Sequence, residues 1–304
     1  MSAKYRYAIV IPHYRLIELL PRALASIPDR PDIQILVVDD NSGIDESAFA
    51  PLNVFQRAHC RFVFTKESKG AGYVRNVGLK HVQAEWVLFL DADDFFEQGA
   101  FDLFDRYAHA HADVVYFSTR SVYSDSLLPS SRFSIYNAYV HHARVPEPHR
   151  LHLLRAYHVV PVAKMIRFAL IDTHSIRFDE VRWGNDVFFA TQVGVWANNV
   201  LVDQGVVYVV TDRANSLVKN LSPEAMLCRY EVALRANQFL REAGRSPYQN
   251  TLLFHLKRIA QCGVKHLLHA IRMGFRYKGF NKYTLYLSSR TVKAALRAYT
   301  QTQR

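Results

Sequence analysis

The sequence predicts an α/β protein with a largely parallel sheet, and three features predict it. Apolar runs at residues 7–11, 33–38, 61–65, 86–90 and 114–117 have strand length and little polar alternation, the pattern of strands covered on both faces. Segments with helical spacing separate them, as crossovers between parallel strands require. Two acidic clusters, Asp39-Asp40-Asn41-Ser42 and Asp91-Ala92-Asp93-Asp94, follow the second and fourth runs. Ligands of open parallel sheets bind beyond the carboxyl ends of the strands, where both clusters fall.

The elements follow in order. Pro12 stops the first run, and Leu16, Leu20, Ala23, Leu24 and Ile27 then recur at helical spacing up to Pro28. Gly70-Ala71-Gly72 opens a helix expected to reach Lys80, and residues 101–109 read as another. Residues 121–150 lose the rhythm, with Tyr and His scattered among Ser and Pro, and are expected to be an irregular functional surface. From Leu151 pattern returns: a short helix, the run 159–164, a helix over 166–171 and the run 176–178. Residues 183–189 open a helix, 206–210 form a strand, and the remainder reads as helices.

At 304 residues, half of them hydrophobic, the chain fits one large domain or one domain with an appendage. No apolar run approaches the roughly 18 residues of a membrane span. A secretory signal is not expected, because the apolar run at 8–11 is too short. Cys60, Cys228 and Cys262 share no metal-ligand spacing and are expected as free thiols of a cytosolic protein. The net charge of +11 is uneven: twelve Lys and Arg follow Glu242 with no acidic residue among them, so the first 242 residues net −1.

Carboxylates buried at strand ends cost several kcal/mol, at the order of magnitude, unless a cation or hydrogen-bond donors meet them. A nucleotide carrying a divalent metal on its diphosphate supplies both. Taken singly, each cluster reads equally well as a turn with a helix cap, since Asp, Asn and Ser favour both. A dinucleotide fingerprint at Gly70-Ala71-Gly72 fails, because Arg75 stands where a third glycine or alanine belongs.

Five blocks taken in order resemble one family. They are Ile9-Val10-Ile11-Pro12-His13-Tyr14, Val37-Val38-Asp39-Asp40-Asn41-Ser42, Gly70-Ala71-Gly72-Tyr73-Val74-Arg75-Asn76-Val77-Gly78, Phe89-Leu90-Asp91-Ala92-Asp93-Asp94, and Gly184-Asn185-Asp186-Val187-Phe188-Phe189. The chain is similar to the inverting family-2 glycosyltransferases of the GT-A fold, of bacterial surface-polysaccharide type, over roughly residues 5–220. The resemblance implies a Rossmann-like nucleotide-sugar half at 1–118, an acceptor half at 119–220, and a mostly helical basic region at 221–304.

The resemblance also implies roles. Pro12 and Tyr14 frame the nucleobase, with Tyr14 stacking on it, and Asp40 or Asp39 accepts the uracil N3–H. Arg75 lies beside base or diphosphate, Asp91 meets the ribose, and Asp93 holds Mn²⁺ or Mg²⁺ on the diphosphate. Asp94 supports or caps. Asp186 takes the position of the general base, which removes the acceptor proton as the hydroxyl attacks a UDP-α-sugar and leaves a β-linkage. The family's usual Glu-Asp is Asn185-Asp186 here, so the charge of the neighbour is lost. On the acceptor side stand Trp183, as a flat platform, Asn185, Lys164 and, more loosely, Arg213-Ala214-Asn215-Ser216. The implied partners are a UDP-sugar donor and a glycan or lipid-linked acceptor.

Leu252, Leu256, Ile259, Gly263, Leu267, Ile271 and Phe275 form one helical stripe with Lys257, Arg258, Lys265 and Arg272 beside it. This basic amphipathic segment is expected to dock on an anionic membrane surface, the alternative being a helix packed on the catalytic domain. Competing functions are a sugar nucleotidyltransferase, whose Gly-rich N-terminal loop is missing at Pro12-His13-Tyr14-Arg15, and a weakly active membrane-docked protein. A nucleic-acid partner is not expected, since the basic region carries no recognisable reading motif.

Overall fold

A computed structural model describes residues 3–45, 47–49, 59–144, 147–213 and 219–287 of the chain. Its first part runs β1 (Tyr5–His13), α1 (Leu20–Ala25), β2 (Ile33–Asp39), β3 (Cys60–Phe64), α2 (Ala71–Leu79), β4 (Ala84–Phe89), β5 (Phe95–Phe96), α3 (Ala100–Tyr107) and β6 (Val114–Tyr123). The second part adds α4 (Ser134–His142), α5 (Pro148–Tyr157), β7 (Lys164–Arg167), α6 (Phe168–Thr173), α7 (Val187–Trp196) and β8 (Val200–Asp212). Helices α8 (Pro223–Glu242), α9 (Leu253–Ala260) and α10 (Val264–Arg276) follow.

The strands form one sheet of eight in the order β3-β2-β1-β4-β7-β6-β8-β5. β3, β2, β1 and β4 are mutually parallel, and β7 is antiparallel to both β4 and β6. Side-chain alternation along β1 divides the core. Tyr7, Ile9 and Ile11 face a cluster with Leu20 and Leu24 of α1 and Phe101 and Phe104 of α3. Ala8 and Val10 face the other cluster, with Leu79 of α2, Tyr139 of α4, Leu154 of α5 and Phe189 of α7. Both faces are thus covered, which is why the parallel strands read as continuous apolar runs.

Three expectations need correction. Residues 121–150 are not irregular throughout: β6 continues to Tyr123 and α4 occupies Ser134–His142. The helix was masked by a polar residue on its inner side, because Asn137 accepts from the Thr119 N–H at 2.8 Å and donates to the Thr119 carbonyl at 2.7 Å. The expected helix over 166–171 is β7 up to Arg167 and α6 from Phe168. The C-terminal stripe is not one helix, since Gly263, at φ 107°, separates α9 from α10. Leu252 and Ile259 of that stripe pack with Tyr230 and Leu234 of α8, whereas Phe275 is exposed. Arg290, Lys293, Arg297 and Arg304 lie outside the described residues.

Helix α2 brings the two halves of the sheet's ligand edge together, and its glycines permit the approach. A Cβ on Gly78 would come within 2.5 Å of Val10 Cγ1, so α2 lies hard against β1. A Cβ on Gly72 would stand 2.0 Å from the Asp179 carbonyl oxygen, so the first turn of α2 abuts the segment that leads to α7. Asn76 fastens the same contact, accepting from the Phe178 N–H at 2.8 Å and donating to the Phe178 carbonyl at 3.0 Å. Gly72→Ala should therefore cost about 1–3 kcal/mol, the usual range for overpacking. Urea unfolding measures it, and an unchanged midpoint would contradict the close approach.

Candidate active site

The carboxyl ends of β1, β2 and β4, the start of α2, the entry to α7 and the end of β8 meet at one edge. At the end of β2, Asp39 is satisfied from within the protein. Its Oδ1 accepts from His13 Nδ1 at 2.6 Å and from the Ser42 hydroxyl, and its Oδ2 accepts from the Ser42 N–H at 2.8 Å. Burial works to raise its pKa, but the bonds from His13 and Ser42 outweigh it and hold the carboxyl below the usual range. His13 in turn accepts the Leu16 N–H at Nε2, which sets the proton on Nδ1 and fixes the loop after β1. Asp40 accepts from the Lys69 N–H at 2.9 Å and the Gly70 N–H at 2.7 Å. Burial raises its pKa, those two bonds opposing. Gly70, at φ 89°, turns the chain into α2 at this point. Pro12 is partly buried in β1, while Tyr14 is 47% exposed, with the Arg15 guanidinium 5.1 Å from its ring centroid.

The second cluster is a turn stapled from β8. The Tyr208 hydroxyl accepts the Asp91 N–H at 3.0 Å and donates to Asp94 at 2.9 Å, and Thr211 donates its N–H to Asp94 at 2.7 Å. Asp94 is buried, and burial followed by the charges of Asp93 and Asp91 pushes its pKa far up. These bonds make Asp94 a scaffold residue. Asp91 and Asp93 face the edge. Asp93 carries an ion pair with Arg213 at 2.7 Å, and its pKa is raised by burial and then by Asp91, with Arg213 opposing. Arg22 of α1 donates to the Asp93 carbonyl at 2.6 Å. Residues 214–216, expected loosely near the diphosphate or the acceptor, lie outside the described residues.

Arg75 joins this turn to the entry of α7. Its guanidinium donates to Asp91 at 2.6 Å and to Asn185 Oδ1 at 2.9 Å, and lies over the Phe178 ring. Asp186 occupies the N-cap position of α7, yet its carboxylate caps none of the helix N–H groups. Burial raises its pKa, Arg75 opposing first. Trp183 is half-buried, with Arg182 over its ring and, among the described residues, no partner for its Nε1. Lys164, expected beside the acceptor, is 2% exposed and donates to the His158 and Val160 carbonyls. It lies in the interior because β7 places its side chain between sheet and helices, against Tyr116.

The comparisons agree with this geometry. A family model described as "Glycosyl transferase family 2" matches residues 8–174. The chain belongs to that family. A poly(ribitol-phosphate) β-N-acetylglucosaminyltransferase of Staphylococcus aureus, TarP, is 29% identical over 118 residues, which are 36% of this chain and 35% of that protein. Another of the same description, TarS, is 24% identical over 204 residues, 65% of this chain and 34% of that protein. A minor teichoic acid biosynthesis protein of Bacillus subtilis, GgaB, matches over only 12% of its own length. The chain thus spans about a third or less of these relatives.

Among solved structures, S. aureus TarS 1–349 in complex with UDP-GlcNAc has a TM-score of 0.62 at 22% identity, covering 99% of this chain and 81% of that one. The mannosyltransferase PcManGT from Pyrobaculum calidifontis, in complex with GDP-Man and Mn²⁺, has a TM-score of 0.53 at 15% identity, covering 99% and 87%. Likeness at this level shows the fold, and the fold is the GT-A type expected. The family-2 match holds Pro12, Tyr14, Asp39, Asp40, Arg75, Asp91, Asp93 and Lys164, and ends before Trp183, Asn185 and Asp186.

The sequence alone did not single out Tyr208, Thr211 and Arg22, which brace this edge. Tyr208 left one trace, a lone hydroxyl inside the apolar run of β8. Arg22 left none, since a helical arginine on a solvated face has the same pattern.

Proposed function

We propose that the protein is an inverting glycosyltransferase that moves a sugar from a UDP-linked donor to a hydroxyl of a glycan or lipid-linked acceptor. The observation that carries this is Asp186: a carboxylate at the start of α7, spent on no helix cap, beside the Arg75–Asp91 link of the donor side. A base there takes the proton of the attacking hydroxyl, and one in-line displacement on a UDP-α-sugar gives a β-linkage. The relatives named for poly(ribitol-phosphate) substrates, and the TarS complex with UDP-GlcNAc, make UDP-GlcNAc the first donor to test and a surface polysaccharide the first acceptor class.

The donor is read by both strand ends. Tyr14 stacks on the uracil and Pro12 frames it. Of the two acids after β2, Asp40 accepts the N3–H: Asp39 already takes three bonds and Asp40 two, so Asp40 keeps the greater accepting capacity. Asp91 meets the ribose. Trp183 and Asn185 border the acceptor.

Asp93 fits a divalent cation. It is a hard oxygen ligand whose charge is disfavoured by burial and then by Asp91, and it already attracts a cation, Arg213. Among the described residues no group of three or more His, Cys, Asp or Glu side chains could hold a metal ion. Asp93 would therefore be the protein's contribution to such a site, with substrate phosphates and water completing it, as is usual for Mg²⁺. Bound there, Mn²⁺ or Mg²⁺ supplies charge neutralisation for the departing diphosphate. Arg213, paired with Asp93, would add a second positive charge beside the diphosphate.

Helices α9 and α10 support a place on an anionic membrane surface. Among the described residues no helix is long and apolar enough to cross a membrane. Val264, Leu268 and Phe275 lie on one face of α10 and are 72%, 49% and 70% exposed, although the helix buries Ala270 and Gly274 on the other. Lys265, Arg272 and Arg276 flank that apolar row, and α9 exposes Phe254 with the Arg258 guanidinium over its ring. Neither helix carries an acid.

Asp93→Ala should abolish transfer and Mn²⁺-dependent UDP binding with the fold intact; full activity, or full wild-type activity in excess chelator, would remove the metal from the account. Asp186→Asn should lower transfer by about 10²–10⁴-fold, the range of general-base catalysis, with UDP-sugar affinity little changed. Transfer near the wild-type rate would place the base elsewhere. Sedimentation with vesicles should show binding to anionic but not neutral lipid, weakened by salt and by charge reversal at Lys257, Arg258 and Lys265. Equal binding to both lipids, or none, would leave α9–α10 without a membrane role.

A further inference from the structure

The turn that carries Asp91 and Asp93 is held largely from β8 and by itself. Tyr208 accepts the Asp91 N–H and donates to Asp94, Thr211 donates its N–H to Asp94, and the Asp94 N–H closes the turn on the Asp91 carbonyl at 2.9 Å. None of these bonds reaches the backbone of Asp93. That backbone is held at its carbonyl, by the Thr211 hydroxyl at 3.0 Å and by Arg22 Nη2 at 2.6 Å. Arg22 also reaches the Ser124 carbonyl through Nη1 at 3.3 Å and the Ser124 hydroxyl at 3.4 Å. Ser124 follows β6 and is itself fixed to β8, its N–H donating to the Asp212 carbonyl at 3.1 Å. Asp93 is thereby tied to α1 and to the end of β6 as well as to β8.

Helix α1 is a firm base for this brace. Leu20, Ala23 and Leu24, on either side of Arg22, are buried in the core, and Ser26 accepts the Phe96 N–H at 3.0 Å. Arg22 is half-buried, and among the described residues its Nε is buried without a partner. Its hydrogen bonds go to carbonyl and hydroxyl oxygens, so no carboxylate compensates its desolvation through them. Packing does not call for that charge: the guanidinium stands 5.2 Å from the Phe95 ring centroid, where a methionine would also fit. What arginine adds is a planar fork whose two end nitrogens take Asp93 and Ser124 separately. The single, swinging nitrogen of lysine does not reproduce that division. The pKa of Asp93 is raised by burial and then by Asp91, with Arg213 opposing, and Arg22 is not among its leading influences. Arg22 therefore acts on Asp93 through the backbone.

We propose that Arg22 is a positioning residue for the metal-binding carboxylate: by bridging the Asp93 and Ser124 carbonyls it fixes the backbone from which Asp93 meets a divalent cation on the diphosphate. The proposal rests on the reading of Asp93 as the protein's ligand to that metal. Such a ligand has to be held within about 0.5 Å of its productive position. Loss of a residue that supports a metal ligand typically costs about 10–100-fold in metal affinity, and a support acting through the backbone belongs near the lower end, about tenfold.

The test is UDP affinity, measured by calorimetry with Mn²⁺ and with excess chelator, in wild type, Arg22→Met and Arg22→Lys, each checked by thermal melting. The ratio of the two affinities isolates what the metal adds. In Arg22→Met that ratio should fall about tenfold, with affinity in chelator unchanged. Arg22→Lys keeps the charge and most of the stem and should lose part of the same ratio; it decides alone if Arg22→Met melts early. A wild-type ratio in either folded variant, or affinity lost equally with and without metal, would make Arg22 a structural tether and overturn the proposal. A ratio that rises would also overturn it, because the arginine would then be repelling the metal. Wild type without metal-dependent UDP binding would remove the reading of Asp93 and this proposal with it. Metal dependence in wild type that Arg22→Met leaves intact would remove the role of Arg22 alone.

Discussion

The structure of the ligand edge depends on the burial of one guanidinium. Arg75 is bonded to Asp91 from β4's end and to Asn185 from the entry of α7, and so ties the first half of the chain to the second. Such a bridge requires a close approach of backbone to backbone. Gly72 permits it against Asp179, Asn76 fastens it to Phe178, and Phe178 stacks on Phe189 of α7 at 3.9 Å. Arg235 of α8 closes the far side with an ion pair to Asp179 at 2.9 Å. The block Gly70–Gly78 is therefore a packing device, whatever it binds. Charge-assisted bonds of this kind are short and directional, which is what a fixed geometry between two sites needs.

The acids at the strand ends divide by what surrounds them. Asp39 and Asp94 are consumed by scaffold bonds, the first to His13 and Ser42, the second to Tyr208 and Thr211. Asp40, Asp91 and Asp93 keep capacity toward the edge, and Asp186 keeps its carboxylate off the helix cap. Two adjacent aspartates in a sequence do not announce which is which, because the deciding donors come from distant strands. Tyr208 is 117 residues from Asp91.

Much of the parallel half was legible because β1, β2 and β4 are buried along nearly their whole length, on both faces. The second half was less so. Helix α4 was hidden by Asn137, whose amide serves β6 in place of an apolar contact, and β7 was read as helix because four residues carry too little period to separate it from α6. Asp186 was legible as a motif, but its freedom from capping was not. Lys164 was singled out in the sequence and its surroundings were not: a lone lysine before an apolar pair gives no sign that β7 turns it inward. The C-terminal stripe was real as a pattern, yet Gly263 redistributes it between a buried face on α8 and an exposed one on α10.

Arg75 joins the turn after β4 to the entry of α7, and on the proposed function it couples donor binding to acceptor activation, which its replacement tests. Arg75→Met keeps the aliphatic stem and removes both bonds. Donor affinity and the rate of transfer at saturating donor should be measured together on this variant, with its melting temperature as the control for folding. The account predicts that both fall, because Asp91 loses its tether and Asp186 loses a favourable charge in the same step. A variant that melts as the wild type does and loses neither, or loses affinity while turnover at saturation is untouched, would contradict it.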